Sequence, residues 1–241
     1  MIRPRAAFFA APLFGMAAVP MQLRAVIALA IGMAGMSAVS FTLPPDGIGS
    51  FAGIAIVIGE VLTGLALGFA VQIGYSAAML AGETISNTMG LGFAAMSDPM
   101  SGAATPALGQ MLSLLATFLF LAIGGHLALA TIIVDSYRAL PVGAAWLSPG
   151  SIHGLVLFGG DMLAAGLVIA LPVGFALVLV QIVMGMLARS APSMNLFAVG
   201  LPATLLAGLG LLAIAAPGMG EGITAAIQLG LDEAQRLSAN R

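Results

Sequence analysis

Apolar side chains dominate this chain of 241 residues: 61% are hydrophobic, 7% are charged, and the mean hydropathy is +1.14. Soluble domains carry about 25% charged residues, so this chain has too few charges to coat a water-soluble fold. The absence of cysteine excludes disulfides, thiolate catalysis and zinc–cysteine sites. The net charge is −2 and lysine is absent, so the sequence does not indicate the basic surface that binds nucleic acid. We therefore predict an integral membrane protein whose remaining apolar surface is covered by lipid or by partner subunits.

The N-terminal segment has two interpretations. Arg3 and Arg5 precede an apolar run over residues 6–19, which is the pattern of a secretory signal peptide. Pro12 and Pro20 interrupt that run, and the block that follows them is itself membrane-like. We favour a retained, partly inserted helix, followed by nineteen uncharged residues at 25–43 that are long enough for one span.

Residues 48–82 form an apolar block of thirty-five residues with Glu60 as its only charge. As one helix the block would extend about 50 Å, beyond a hydrocarbon core of about 30 Å, so it must tilt, kink or project from the bilayer. Small and polar residues recur every four positions and predict a helix-contact face, the contact stripe. They are Glu60, Gly64, Gly68 and Gln72. Glu60 is either an ion-pathway carboxylate or a hydrogen-bonded structural residue at a subunit contact, and we favour the contact.

Three further apolar blocks complete the pattern, and they cover residues 111–134, 154–188 and 196–216. Pro172 is expected to kink the second block and Pro202 to interrupt the third. Residues 140–153 are expected to form a boundary loop, and the chain beyond Pro217 an amphipathic helix at a surface. The predicted fold class is an all-α integral membrane protein with five to six long, partly kinked apolar helices.

Isolated ionisable residues lie within or beside these blocks. His126 is either a proton relay or a hydrogen-bonded structural residue, and we favour the structural role because its face carries no second histidine or carboxylate at helical spacing. The sequence does not decide the roles of Glu83 and Asp161.

The arginines give a nearly balanced orientation signal. If five spans alternate after Arg24, then Arg24 and Arg189 lie on one side of the membrane, and Arg138, Arg236 and Arg241 lie on the other. Either the number of spans differs from five, or some blocks are buried against partners and do not cross a bilayer singly.

A glycine-rich segment, Met89 to Gln110, separates two strongly apolar blocks and is predicted to be a loop at membrane depth. Gly90, Gly92 and Gly102 permit backbone turns, and Pro99 and Pro106 interrupt a helix. Asp98 is the only formal charge between Glu83 and Asp135.

Enzyme motifs are absent from the sequence. It contains no HExxH pair, no glycine-flanked serine elbow and no GxxxxGK[ST] phosphate loop, and its two histidines are too few for a histidine-rich metal site. We predict no catalytic activity, no cofactor and no metal. A small-solute transporter remains an alternative, although the paired internal repeats common in transporters are not evident.

Several motifs, taken in their order and spacing, resemble the FliR family of flagellar biosynthetic proteins. In the first half they are Gly82-Glu83, Met89 to Ala94, Asp98-Pro99, Pro106 to Leu108, Gly125 to Leu127 and Leu140 to Gly143. Arg189 to Pro202 resembles the family's later turn and helix, and Ala11 to Pro20 with Arg24 resembles its beginning. The resemblance covers nearly the whole chain, which is expected to start late relative to the family's first helix.

This resemblance implies a single subunit of the flagellar type III protein export gate in the bacterial inner membrane, at the flagellar basal body. FliP and FliQ are the implied partners in a helical multi-subunit assembly, FlhB and FlhA are further partners, and unfolded flagellar subunits are the export substrates. Residues 1–153 are expected to be FliP-like, and residues 154–241 to form a FliQ-like helical hairpin with an amphipathic tail. The contact stripe would then be buried on neighbouring subunits. The related SctT proteins of virulence secretion systems resemble the same motifs and remain an alternative.

The same resemblance assigns a pore plug to the glycine-rich loop. The plug residues would be Met89, Gly90, Gly92, Phe93, Met96, Asp98 and Pro99. Phe93 and Met96 would fill the pore, because apolar side chains at a constriction exclude water and ions by dewetting. The glycines would allow movement, and Asp98 with Pro99 would mark the turn toward the next helix. The alternative is that Phe93 and Met96 pack in an ordinary core.

Overall fold

The computed structural model describes residues 2–15, 19–38, 49–92, 107–143, 147–190 and 196–239, with backbone only at 36–38 and 196–198. Over these ranges the chain forms α-helices and no strands. The helices are α1 (Ile2–Ala10), α2 (Met21–Ala38), α3 (Phe51–Thr88), α4 (Ala107–Ala122), α5 (Gly125–Ala139), α6 (Pro149–Ser190) and α7 (Leu196–Ser238). The predicted all-α fold class is confirmed.

Serine hydroxyls cap the first turns of two long helices. Ser50 Oγ accepts the backbone N–H of Gly53 at 3.1 Å, at the start of α3. Ser148 Oγ accepts the backbone N–H of Ser151 at 3.0 Å, and Pro149 occupies the first helical position of α6, where no N–H is needed. The predicted boundary loop up to residue 153 is therefore too long, because α6 begins at Pro149 and includes His153.

Both C-terminal helices continue through their prolines. Pro172 lies inside α6, and Pro202 and Pro217 lie inside α7. The predicted interruption at Pro202 and the separate tail helix beyond Pro217 are wrong, because α7 runs unbroken to Ser238. The tail is amphipathic, as predicted, and it buries Ala226, Ile227, Gly230, Ala234 and Leu237 on one side.

The apolar block predicted at 111–134 is not one helix. It belongs to α4 and α5, which meet at Ile123 and Gly124 with a bend of 64°. Gly124 has a φ of 71°, in the left-handed region that glycine adopts without strain, and this conformation ends the helical path of α4.

Within the part of the chain that the structure describes, three helices are long and apolar enough to cross a membrane: α3, α6 and residues 199–238 of α7. The bent pair of α4 and α5 makes a fourth span if it is counted as one. The predicted count of five to six includes a span at residues 25–43, and because residues 39–43 lie outside the described residues, that span stays a prediction.

Two compact units divide the chain. Unit 1 contains Met1–Tyr75, Phe120–Met162 and Ala226–Arg241, and unit 2 contains Ser76–Leu119 and Leu163–Ala225. The predicted division of the chain at residue 153 rests on the family resemblance and stays a prediction.

Small residues bring helices together within each unit. In unit 1, a Cβ at Gly74 of α3 would meet the carbonyl oxygen of Ala226 and the backbone of Gly230 on α7. In unit 2, a Cβ at Gly166 of α6 would lie 3.0 Å from the carbonyl oxygen of Ala77 on α3. A side chain at Gly74 would force the two backbones apart, so packing requires glycine there, whereas one at Gly166 would first displace the side chain of Leu80.

Candidate functional site

A buried ion pair joins the N-terminal helix to α3 in unit 1. Arg3 Nη2 donates to Glu60 Oε1 at 2.7 Å, and the side chains are 0% and 5% exposed. Nη1 of the same guanidinium donates to Ser136 Oγ at 3.0 Å, and Nη2 also donates to the carbonyl oxygen of Leu140 at 2.8 Å. One arginine therefore connects α1, α3 and the C-terminal end of α5.

An aromatic ring covers the arginine of this cluster. Arg3 Cζ lies 4.2 Å from the ring centroid of Tyr137, which is a cation–π geometry. Tyr137 in turn packs against Gly35 of α2, where a Cβ would lie 2.8 Å from the tyrosine Cδ2. Carboxylate, hydroxyl, carbonyl and aromatic groups thus surround the buried charge, and Arg3 Nε alone of the guanidinium nitrogens has no hydrogen-bond partner among the described residues.

The contact stripe packs against α1 of the same chain. A Cβ at Gly64 would meet the carbonyl oxygen of Arg3 and lie 2.8 Å from Ala6 Cβ, and one at Gly68 would meet the carbonyl oxygen of Ala7. Glu60, Gly64 and Gly68 are buried, and Gln72 is half-buried. Within the chain, Glu60, Gly64 and Gly68 therefore pack on the N-terminal helix, and burial of the contact stripe on neighbouring subunits stays a prediction.

Sequence reasoning did not find Arg3. The signal available was Glu60 itself, because a carboxylate in a thirty-five-residue apolar block needs a counter-charge or a hydrogen-bond donor. The chain has seven arginines, and only the packing of α1 on α3 selects Arg3 among them.

The glycine-rich segment starts with a complete helix C-cap in unit 2. The backbone N–H of Leu91 donates to the carbonyl oxygen of Ser86 at 3.1 Å, and that of Gly90 donates to Asn87 at 3.1 Å. Gly90 has a φ of 82°. This pair of hydrogen bonds with a left-handed glycine is a Schellman motif, which ends α3 and satisfies two of its last carbonyls.

Side chains of α6 and α7 hold this C-cap in place. Gln181 Nε2 donates to the carbonyl oxygen of Thr88 at 2.6 Å, and Thr204 Oγ1 donates to that of Met89 at 3.2 Å. Met89 is 1% exposed, and a Cβ at Gly208 would lie 2.5 Å from its Cε. Met89 is therefore a buried anchor at the start of the segment.

The far end of the segment is helical. Helix α4 starts at Ala107, so the predicted loop end at Gln110 is too late. A Cβ at Gly82 of α3 would lie 2.6 Å from Gly109 Cα, and this close approach holds the first turn of α4 against α3.

Four of the predicted plug residues lie outside the described residues: Phe93, Met96, Asp98 and Pro99. Of the other three, Met89 is buried in unit 2, Gly90 forms the C-cap, and Gly92 is exposed. Their assignment to a plug stays a prediction.

Three further ionisable residues have different surroundings. His126 Nδ1 is buried and has no hydrogen-bond partner among the described residues. Glu83 packs beside Gly109, because a Cβ at Gly109 would lie 3.2 Å from Glu83 Cγ. Asp161 is exposed in a cavity that Asp232 and Glu233 also line. The groups of acidic and histidine residues that the structure describes include none that could hold a metal ion.

The C-cap gives a first testable prediction. Gly90→Ala should lower the stability of the protein by about 1–2 kcal/mol, because an L-residue pays that cost in the left-handed region. The matched control is Gly92→Ala, whose new Cβ would lie 3.4 Å from Asn87 Oδ1 and whose φ is not positive. The apparent midpoint of thermal unfolding in detergent should fall for Gly90→Ala alone, and an equal fall in both variants would contradict the C-cap assignment.

Comparison with known proteins places the chain in a family. The sequence model of the family described as "Bacterial export proteins, family 1" matches residues 1–230. The chain is 33% identical to the flagellar biosynthetic protein FliR of Escherichia coli (strain K12), over 90% of the chain and 82% of that protein. It is 36% identical to FliR of Pectobacterium carotovorum subsp. carotovorum, over 70% of the chain and 64% of that protein. It is 31% identical to FliR of Bacillus subtilis (strain 168), over 83% of the chain and 78% of that protein. The chain therefore belongs to the FliR family of bacterial export proteins.

Proposed function

We propose that this chain is the FliR-type subunit of the flagellar type III protein export gate, in the bacterial inner membrane at the flagellar basal body. The observations that carry the proposal are the family match over residues 1–230 and the 33% identity to a flagellar biosynthetic protein over 90% of the chain. The flagellar names of these relatives favour the flagellar system over a virulence secretion gate. Because the sequence has no nucleotide-binding motif, the energy for export comes from partner proteins.

The exposed surface of α6 supports an assembly rather than a solitary membrane protein. Large apolar side chains are exposed from Ile152 to Leu187, and Val156, Phe175 and Met186 are 69%, 61% and 67% exposed. The helix rises about 1.5 Å per residue, so the thirty-five residue steps from Ile152 to Leu187 extend roughly 52 Å. If the helix tilted by about 40°, it would still extend roughly 40 Å along the bilayer normal. A hydrocarbon core of about 30 Å cannot cover this length, so other protein subunits cover the remainder.

FliP and FliQ are the partners that we propose for this surface. In the proposed gate they assemble with the chain around a pore, FlhB and FlhA attach to the assembly, and unfolded flagellar subunits pass through the pore. Apolar helix faces that lipid does not cover are typical of permanent subunit interfaces. Such interfaces are as hydrophobic as the core of a single domain.

The glycine-rich loop is the proposed plug of this pore. Both of its ends are held: the C-cap at Met89 and Gly90 is bonded to Thr204, and the start of α4 packs at Gly109. A plug of this kind closes by dewetting through Phe93 and Met96, and firm ends confine its movement to the residues between them. This arrangement supports passive gating, in which the passing polypeptide displaces the plug.

Deletion and co-purification together test the proposed function. Cells that lack this chain should lose flagellar filaments and motility, and the tagged chain should co-purify with FliP and FliQ. Deleted cells that swim but fail to secrete effectors would contradict the flagellar role and support the virulence system. A stable monomer that transports a solute in liposomes would contradict the gate in either system.

A further inference from the structure

An amphiphilic cavity lies in unit 1 between α1, the start of α2, and α3. Its volume is about 760 Å³, within the roughly 300–1,000 Å³ typical of small-molecule sites. Ile2, Phe9 and Met21 line it and are 38%, 69% and 69% exposed, whereas Val61 and Leu65 form its half-buried floor on α3. The cavity therefore opens to the outside of the chain along an apolar edge.

Two arginines stand in the wall of this cavity. Arg5 is exposed on α1, and Arg24 lies on α2 with its Nε–H donated to the carbonyl oxygen of Val19 at 3.1 Å. The other lining residues include no carboxylate. Glu60, the acidic residue of the adjoining stretch of α3, is ion-paired with Arg3 at 2.7 Å. The cavity thus combines two positive charges with an apolar wall, in a chain that has seven basic residues in all.

We propose that this cavity binds an anionic glycerophospholipid, with the phosphate diester against Arg5 and Arg24 and the acyl chains along the apolar wall. A zwitterionic lipid lacks the net negative charge that two arginines favour. A free anion has no acyl chains to contact the apolar edge of the cavity. Basic cavities between membrane helices bind anionic head groups for this reason. The proposal requires that the protein lies in a membrane and that no partner subunit covers the cavity, and it is independent of the plug.

Native mass spectrometry of the full chain, purified with the proteins that accompany it, tests the site. Phosphatidylglycerol and phosphatidylcholine of equal chain length are added as probes. We expect phosphatidylglycerol to bind to the unmutated protein at least tenfold more tightly, since one basic residue near a lipid phosphate contributes roughly a fivefold effect. Equal binding of the two lipids would overturn the proposal without any variant.

Variants then locate the site. Arg5→Gln with Arg24→Gln should weaken phosphatidylglycerol binding by about 25-fold and leave phosphatidylcholine binding unchanged. Arg138→Gln is the matched control, because Arg138 is 67% exposed, pairs with Asp135 at 3.1 Å and does not line this cavity. A loss in the control equal to that in the double variant would show a nonspecific charge effect and overturn the site.

A third variant separates the apolar wall from the charges. Val61→Trp fills the floor of the cavity and leaves both arginines in place. It should reduce retention of phosphatidylglycerol but not of glycerol 3-phosphate, a soluble probe that carries the head-group phosphate without acyl chains. Lipid bound to the isolated chain but absent from the complex would mean that a partner subunit occupies the groove, and that result also overturns the proposal.

Discussion

Glu60→Ala should destabilise the protein by about 3–5 kcal/mol, the cost of leaving a buried charge without its partner. Arg3 is 0% exposed and donates both to Glu60 and to Ser136 and Leu140, so it cannot turn toward water while α1 remains packed on α3. The expected result is detachment of α1, with an apparent midpoint of thermal unfolding lowered by roughly 10 °C and less protein recovered from membranes.

Asp135→Ala provides the matched control for this substitution. Asp135 also pairs with an arginine, at 3.1 Å, but the two side chains are 50% and 67% exposed. Exposed pairs contribute little, so the midpoint should change by the equivalent of no more than about 0.5 kcal/mol. If the two alanine variants had the same stability, Glu60 would not be the counter-charge that the geometry indicates.

A paired replacement distinguishes structure from ion conduction. Arg3→Met with Glu60→Leu removes both charges and retains apolar volume, and such exchanges are often neutral or stabilising. If Glu60 only joins α1 to α3, the double variant should fold and export flagellar subunits. A double variant that folds but exports nothing would show that the carboxylate also has a functional role.

If Phe93 and Met96 seal the proposed gate, replacing both by glycine should make the assembled complex leak ions. Removing the apolar side chains from a constriction allows water to enter, and we expect an increase in ion conductance of about tenfold or more. The measurement is conductance of purified complexes in planar bilayers, with recovery of the partner subunits as the check on assembly. If the variant complexes assemble and conduct no more ions than the unmutated complex, these two residues are not the seal.

Met111→Ala is the control for the plug variant. Met111 lies on α4, is 48% exposed and stands outside the predicted plug residues. Loss of an exposed methionine there should leave the conductance unchanged. A leak of similar size in this variant would attribute the effect to general loosening of the complex.

The ends of the loop have a consequence for gating. The role of Gly90 in loop movement stays a prediction, and its hydrogen bonds and φ of 82° form the C-cap of α3. Met89 is one of the predicted plug residues, and its side chain is buried against Gly208. If the loop opens as we propose, its movement starts beyond Leu91, and the C-cap is the fixed point about which it turns.

Local chemistry made several elements predictable. The membrane class follows from composition, because few charges cannot coat so much apolar surface. The end of α3 follows from Gly90, since glycine tolerates the left-handed C-cap, and the start of α6 is indicated by Ser148 before Pro149. The four-residue spacing of Glu60, Gly64 and Gly68 likewise predicted a contact face.

The helix boundaries at prolines were less predictable. Pro202 and Pro217 each remove one backbone donor, yet α7 continues through them, and Pro172, which is predicted only to kink its block, lies inside α6. A proline costs a helix one hydrogen bond and some steric strain, and in a long apolar helix the neighbouring hydrogen bonds and packing outweigh that cost. A proline in the sequence therefore indicates a weak point in a helix, but it does not by itself end the helix.

The sequence by itself determined the apolar class, the helical periodicity, the family resemblance and the need of Glu60 for a partner. Only the tertiary structure decided that Arg3 is that partner, that α1 packs on Gly64 and Gly68 of the contact stripe, and that Met89 anchors the loop. The physical reason is that propensity, capping and periodicity act within a few residues. Arg3 and Glu60 stand fifty-seven positions apart in the chain, and only helix packing brings them together.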